Sequence, residues 1–357
     1  LDVVNALLVD NRIDPNQAKL DTGFTPLLIA AKNGHVEVVK ALLADKRVNP
    51  EKASKSGATA LFMAAKTGHL DVVNALLVDN RIDPNQATLD TGFTPLLIAV
   101  QNGHVKVVKA LLADKRVNPE KANNDGATAL LMAAQNGHLD VVNALLADKR
   151  VDPNQVTLDT GATSLLIAAQ NGHVEVVKAL LADKRVNPEK ANNGGVTALL
   201  MAAQKGHLDI VNALLDDSRI DPNLVNKDGF TPLLMAAKNG HLDVVNALLA
   251  DKRVNPNPAL SDGTTPLIAS IIFGHFEIAK VLLSRLDSTH NKFSVVAQQE
   301  PLALVSTVLS DQITRDYYLN LIINNKDDMH NILNKNTILF NALSAHREAL
   351  WSRLKEP

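Results

Sequence analysis

The sequence predicts an all-α solenoid of stacked helix-turn-helix units joined by short β-hairpin-like loops, with a C-terminal α-helical cap or small domain. Three observations carry this. The dipeptide Gly-His recurs at Gly34-His35, Gly68-His69, Gly103-His104, Gly137-His138, Gly172-His173, Gly206-His207, Gly240-His241 and Gly274-His275, in steps of 34, 35, 34, 35, 34, 34 and 34 residues. A second anchor keeps phase with it: Thr25, Thr59, Thr94, Thr128, Thr163, Thr197, Thr231 and Thr265 each precede a short apolar run such as TPLLIAA or TALLMAA. Between units lie polar segments such as NPEKANNDG, whose Asn, Gly and Asp are turn chemistry. A fixed period of this kind marks an array in which each unit buries its apolar face against its neighbours.

Within a unit, Thr25 can cap the first helix with its hydroxyl, and Pro26 suits the first helical position, where a missing N–H costs nothing. The apolar run from Leu27 to Ala31 is the first helix, and Gly34 offers the left-handed conformation that closes it. The second helix is expected over Val36 to Asp45, with its Val, Ala and Leu on one face and Glu37 and Lys40 pointing away. Lys46 and Arg47 suit the negative end of its dipole, and Pro50 prevents its continuation.

These residues resemble the ankyrin repeat, with its Thr-Pro-Leu start, paired Ala, Gly-His between helices and Asp-Gly hairpin. The resemblance covers residues 1–285, read as a partial first repeat (1–15) and eight repeats. One departure is consistent: the family's His after Thr-Pro-Leu is Leu here, as at Leu28 and Leu97. That leaves hairpin-to-helix hydrogen bonding to Thr and the backbone. The units are also one or two residues longer than the ankyrin length of about 33.

The units alternate in kind. One carries an LDTG tip (Leu89 to Gly92) and the other a shorter tip ending NDG (Asn124 to Gly126), so the period over the first six units is 69 residues. Residues 33–53 and 171–191 are the same string, NGHVEVVKALLADKRVNPEKA, which points to tandem duplication of a two-unit block. The alternating lengths and irregular tail favour a natural array over a designed one. Residues 1–8, LDVVNALL, copy the second helix at 70–77, so the chain starts in mid-repeat and is expected to be a fragment.

The last unit has Ile272 and Phe273 where an earlier unit has Gln101 and Asn102, and Phe276 in place of Val105. The substitution of apolar for polar surface predicts that residues 286–357 pack there as a helical cap. Helices are expected near 301–310, 312–324, 327–334 and 337–354, with Tyr317, Tyr318, Phe340 and Trp351 among their apolar positions.

Composition excludes several classes. The chain has 357 residues, 36 Lys plus Arg against 38 Asp plus Glu, and no Cys. A formal charge of −2 gives no global reason to seek nucleic acid or an anionic membrane. Without cysteine there are no disulfides, thiolate zinc sites or Cys nucleophiles, and an intracellular, reducing compartment is expected. No apolar run reaches the roughly 18 residues of a membrane span. The Gly-His rings repeat at a stacking distance of about 8–10 Å, too far apart for two to share a zinc, so they are read as bonding local backbone. In the tail, His290, His330 and His346 lie near Asp311, Asp316, Asp327 and Asp328 in sequence, but no HExxH, GxSxG or phosphate-loop pattern joins them. No catalytic, cofactor-binding or metal-binding residue is therefore assigned, and no cofactor is expected. The recurring Lys and Arg of the DKRV segments follow Asp45, Asp114, Asp148, Asp183 and Asp251, which largely neutralise them, so they read as solvated helix ends.

What remains is binding. Eight stacked units would make a surface roughly 65–80 Å long. The ankyrin resemblance implies that a partner protein binds the concave side, through hairpin tips and the exposed part of the first helix. Carried onto this chain, that side bears Lys32 and Asn33, Lys66 and Thr67, Gln101 and Asn102, Gln135 and Asn136, Gln170 and Asn171, Gln204 and Lys205, and Lys238 and Asn239. This ladder is polar and poor in the Trp, Tyr and Arg that anchor interfaces. The exceptions are the tip leucines Leu20, Leu89, Leu158 and Leu260, which either touch a partner or pack on neighbouring hairpins. The expected function is thus a monomeric, non-catalytic scaffold that binds another protein. Near-identical ankyrin units with an Asn-rich tail also look similar to effectors that intracellular bacteria deliver into the host cytosol. The competing readings are the targeting arm of an enzyme, whose catalytic part is the tail or a missing N-terminal domain, and a self-associating array.

Overall fold

Helices of seven to nine residues are too short to persist alone in water, so caps and neighbours must hold them in place. The computed structural model describes residues 1–261 and 263–286, which form two compact units, Leu1–Asn193 and one beginning at Gly194. The first holds α1 (Asp2–Val9), α2 (Pro26–Lys32), α3 (Val36–Ala44), α4 (Ala60–Thr67), α5 (Leu70–Leu77), α6 (Pro95–Gln101), α7 (Val105–Ala113), α8 (Ala129–Asn136), α9 (Leu139–Ala147), α10 (Ser164–Asn171) and α11 (Val174–Ala182). The second holds α12 (Ala198–Lys205), α13 (Leu208–Leu215), α14 (Pro232–Asn239), α15 (Leu242–Ala250), α16 (Pro266–Ile272) and α17 (Phe276–Leu286). Even numbers are the first helices of their repeats and odd numbers the second. Within each unit, even packs on even, odd on odd, and each first helix on the second helix of its repeat, giving two layers.

The core lies between the layers. First helices bury nearly their whole length, as in Leu61 to Ala65 of α4, while second helices bury one stripe, as in Val107, Val108 and Leu111 of α7. Leu28 and Leu97, at the position where the family carries His, are completely buried, so the exchange has turned a polar site into core. The Thr anchors do cap: Thr25 Oγ1 accepts from the Leu28 N–H at 3.3 Å and Thr94 Oγ1 from the Leu97 N–H at 3.2 Å. Thr128 occupies the same place without a side-chain cap bond. Gly34 turns left-handed at φ 76°, as the sequence requires.

The second helix ends one residue earlier than expected. Asp45 is extended, at ψ 116°, because its carboxylate accepts the Arg47 N–H at 2.9 Å and closes a turn beyond the helix. The loops are hairpin-like, with closing bonds such as Thr88 N–H to Phe93 O at 3.0 Å, and one isolated antiparallel bridge pairs Val156 with Thr163. In the last repeat Ile272 is buried and Phe273 is 44% exposed. Apart from Leu286, which ends α17, the proposed cap at 286–357 lies outside the described residues, as do His290, His330 and His346.

Thr94→Ala should lower stability by about 1 kcal/mol, the usual loss for a helix cap. Thr128→Ala, which breaks no cap bond, should cost clearly less; chemical denaturation of the two variants checks the difference.

Candidate partner-binding surface

A residue is available to a partner only if the array does not already use it, so the ties between repeats come first. Each second helix ends in carbonyls that its own repeat cannot satisfy. At α1, α3, α5, α7, α9 and α13 an arginine from the following repeat satisfies them. Arg116 Nη2 donates to Leu77 O at 2.6 Å and Nη1 to Ile82 O at 3.2 Å, and Arg150 repeats this on Leu112 O at 2.8 Å and Val117 O at 2.8 Å. Arg47, Arg81, Arg185 and Arg253 do the same. The Asp two residues before each Arg grips the same guanidinium, as Asp114 Oδ2 does with Arg116 Nη2 at 2.6 Å. The solvated-end reading of the DKRV segments is therefore corrected: Asp pairs with Arg, Arg reaches into the preceding repeat, and the Lys is left over. Sequence spacing hid this because the carbonyls stand 34 and 39 residues upstream.

The Gly-His rings bond backbone, as expected, but across the repeat boundary. His69 Nε2–H donates to Lys32 O at 3.1 Å, and His173 Nε2–H to Gln135 O at 3.0 Å. The ring lies so close to the preceding glycine that a Cβ on Gly137 would stand 2.6 Å from His173 Nδ1. Hairpins add backbone bonds such as Asn124 N–H to Thr91 O at 3.0 Å.

The 69-residue period also has a structural cause. At one type of junction an Asn amide bridges two repeats: Asn85 Nδ2 donates to Arg116 O at 2.7 Å while its Oδ1 accepts from the Asn118 N–H. At the next a carboxylate does so, with Glu120 Oε1 accepting from the Asp152 N–H at 3.1 Å. The second oxygen, Oε2, is buried without a partner. These keys were not recognised from sequence, although the doubled period was their signal.

The expected ladder is partly committed. Asn102 Nδ2 donates to Ile98 O at 3.0 Å and Asn171 Nδ2 to Gln135 O at 3.1 Å, and Thr67 Oγ1 donates to Met63 O. Lys32, Asn33, Lys66, Thr67, Gln101, Asn102, Gln135, Asn136, Gln170 and Asn171 in the first unit are exposed. In the second unit Lys205 and Asn239 are exposed, while Gln204 and Lys238 are half-buried. Lys238 Nζ lies 4.9 Å from the Phe230 ring centre and 5.6 Å from that of Phe273, a cation held between two rings. Of the tip leucines, Leu20, Leu89 and Leu158 are 91%, 76% and 78% exposed, whereas Leu260 is half-buried. Leu89 and Leu158 also lean over the preceding hairpins, where a Cβ on Gly57 or Gly126 would crowd them. No group of three or more His, Asp or Glu among the described residues could hold a metal, and no described helix is long and apolar enough to cross a membrane.

A family model described as ankyrin repeats (three copies) matches residues 1–88, 80–157, 150–226 and 218–293. The chain is an ankyrin-repeat protein. Its interaction role follows at the level of the family, whose repeats serve as protein-binding modules. No curated protein matches the chain. Among solved structures, the ankyrin repeat domain of Bcl-3, described as a unique member of the IkappaB protein family, is similar at a TM-score of 0.58 and 26% identity, over 64% of this chain and 99% of that one. In all, 528 solved chains match, so the likeness supports the ankyrin architecture and singles out no partner.

Two predictions follow from the ties. Arg116→Lys keeps the charge but loses the planar fork, and should lower stability by about 1–2 kcal/mol with loss of a cooperative transition at that junction. Hydrogen exchange in α5 and α7 reads it. For pH, the eight Asp of the Asp-x-Arg turns are held below the usual carboxylate range, chiefly by the arginine hydrogen bond. A depressed carboxylate stabilises the fold above its unfolded value of about 4 and loses that contribution as pH falls further. Glu51 and Glu120, pushed up chiefly by burial, act oppositely and favour the fold as pH falls toward their unfolded value of about 4.3. The melting temperature should therefore rise slightly from pH 7 to about 5 and fall steeply below about 4.

Proposed function

We propose that the chain is a non-catalytic scaffold that recognises a partner protein through its hairpin tips and first-helix ends, with Leu20, Leu89 and Leu158 as its apolar anchors. The exposure of these three leucines carries the reading. In the paired repeats of the first unit the large apolar side chains are buried or half-buried, with Val78 the exception at the end of a second helix, yet every second hairpin holds a leucine in solvent. At two stacking distances, about 16–20 Å, they are spaced for a partner that contacts several repeats at once. Exposed Lys and Gln of the ladder supply a polar surround, the arrangement in which a few anchors hold most of the affinity. Serine at these positions costs the fold little, because the side chains bury so little of their surface.

The same proposal has the protein act as a monomer in a reducing compartment, and near-identical repeats with an Asn-rich tail support an effector delivered into a host cytosol. A translocation reporter fusion tests that part.

For recognition, the full chain and a Leu20, Leu89, Leu158→Ser variant serve as parallel baits, with captured proteins compared by quantitative mass spectrometry. A direct partner should be retained by the first and lost by the second. Each leucine removed should weaken binding about tenfold, as expected for one buried Leu. Partners held equally by both baits would move the site away from the tips.

A further inference from the structure

The outer layer of the first unit contains a substitution that repetition isolates. Residues 102–122 differ from the identical strings 33–53 and 171–191 at one position only, where Lys106 replaces Glu37 and Glu175. In those copies the glutamate holds the lysine one turn on, Lys40 Nζ to Glu37 Oε1 at 2.9 Å and Lys178 Nζ to Glu175 Oε1 at 2.9 Å. On α7 the pair has become Lys106 and Lys109, two exposed cations that form no ion pair among the described residues. Like charges at this helical spacing repel, so the exchange does not serve the helix.

Beside them α7 and α9 flank a groove of about 790 Å3, with Leu112, Ala144 and Ala147 among its apolar lining and Lys109, Lys115 and Lys149 at its rim. The acids nearest in sequence do not neutralise that rim, because Asp114 is bound to Arg116 and Asp148 to Arg150, each at 2.6 Å. Both arginines are turned into the preceding repeats. The result is a local positive patch, with an apolar floor, on a chain whose net charge is −2.

We propose that this groove binds an acidic amphipathic segment of a partner protein, its carboxylates meeting Lys109, Lys115 and Lys149 at the rim and reaching Lys106 one turn before Lys109 on α7, with an apolar side chain resting on Leu112 and Ala147. Charge complementarity selects an acidic occupant, and the apolar floor selects a peptide over a bare polyanion. The lining contains no aromatic ring on which a base could stack. Helix α7, nine residues long, offers about 13 Å, a length suited to a short segment. The site lies on second helices and the turns that follow them, separate from the hairpin leucines, so either surface can fail without the other.

The test is fluorescence anisotropy on the full chain with a short labelled peptide carrying Glu on one helical face and Leu on the other. Lys106→Glu restores the string that folds in the two sister copies, and it and Lys149→Glu should each weaken binding about tenfold, with further weakening by salt. Lys46→Glu, outside the groove, should leave binding unchanged, and a shuffled peptide of the same composition should bind more weakly. Equal binding by wild type, Lys106→Glu and Lys149→Glu would overturn the proposal. So would equal binding of the shuffled peptide, or a stronger Lys106-dependent response to single-stranded DNA or phosphatidylserine vesicles.

Discussion

The stacking of the described repeats depends on one constraint: a second helix of eight or nine residues ends in carbonyl groups that its own repeat leaves open. The following repeat supplies the donor, an arginine whose guanidinium is oriented by the Asp two residues before it. That Asp also accepts the Arg backbone N–H, so one carboxylate closes the turn, aims the fork and compensates its charge. Three separate needs meet in the short sequence Asp-x-Arg. The histidine plays a similar part for the first helices, donating to a carbonyl at the end of the previous one. Stability is thus shared between adjacent repeats, as in a one-dimensional array.

The two-repeat period follows from the same logic. If every junction used the same bridge, one repeat would suffice as the unit of duplication. Instead an Asn amide, which both donates and accepts, alternates with a Glu carboxylate, which can only accept. An accepting oxygen needs a backbone N–H opposite it, and it finds one in Asp83 and in Asp152. The carboxylate is the weaker solution, since burial raises its pKa and at Glu120 leaves one oxygen unpartnered. Duplicating the pair keeps both solutions in register.

Much of this was legible in the sequence, and the rest was hidden for a physical reason. Helix starts, closing glycines and the buried leucines follow from local chemistry: a threonine before a proline, a left-handed residue, an apolar run. The arginine was misjudged because a charged residue at a helix end has a good local explanation in the dipole, while its real acceptors lie 34 to 39 residues upstream and become neighbours only when repeats stack. The histidine was assigned the right kind of partner and the wrong repeat. For the ladder, sequence placed the residues but could not reveal that Asn102 and Asn171 spend their amides on helix carbonyls. Leu260 stands three residues before its turn glycine, as Leu20, Leu89 and Leu158 do, but its hairpin is of the shorter kind. It therefore makes the closing bond to Thr264 O that Thr88 makes to Phe93 O, and sits one position short of the tip.

Such a frame separates stability from recognition more cleanly than a globular core does. Between residues 102–122 and their sister copies every tie survives the exchange at Lys106: the histidine bond, the Asp-Arg turn, the carbonyl clamp and the buried valines. What is lost is a solvent-exposed ion pair, a contribution that is small in water. A charge reversal of this kind costs the array little and changes the potential over one groove only. A repeat protein can therefore alter what one segment of its surface attracts by a single substitution, so long as the residue changed is not one that holds the next repeat in place.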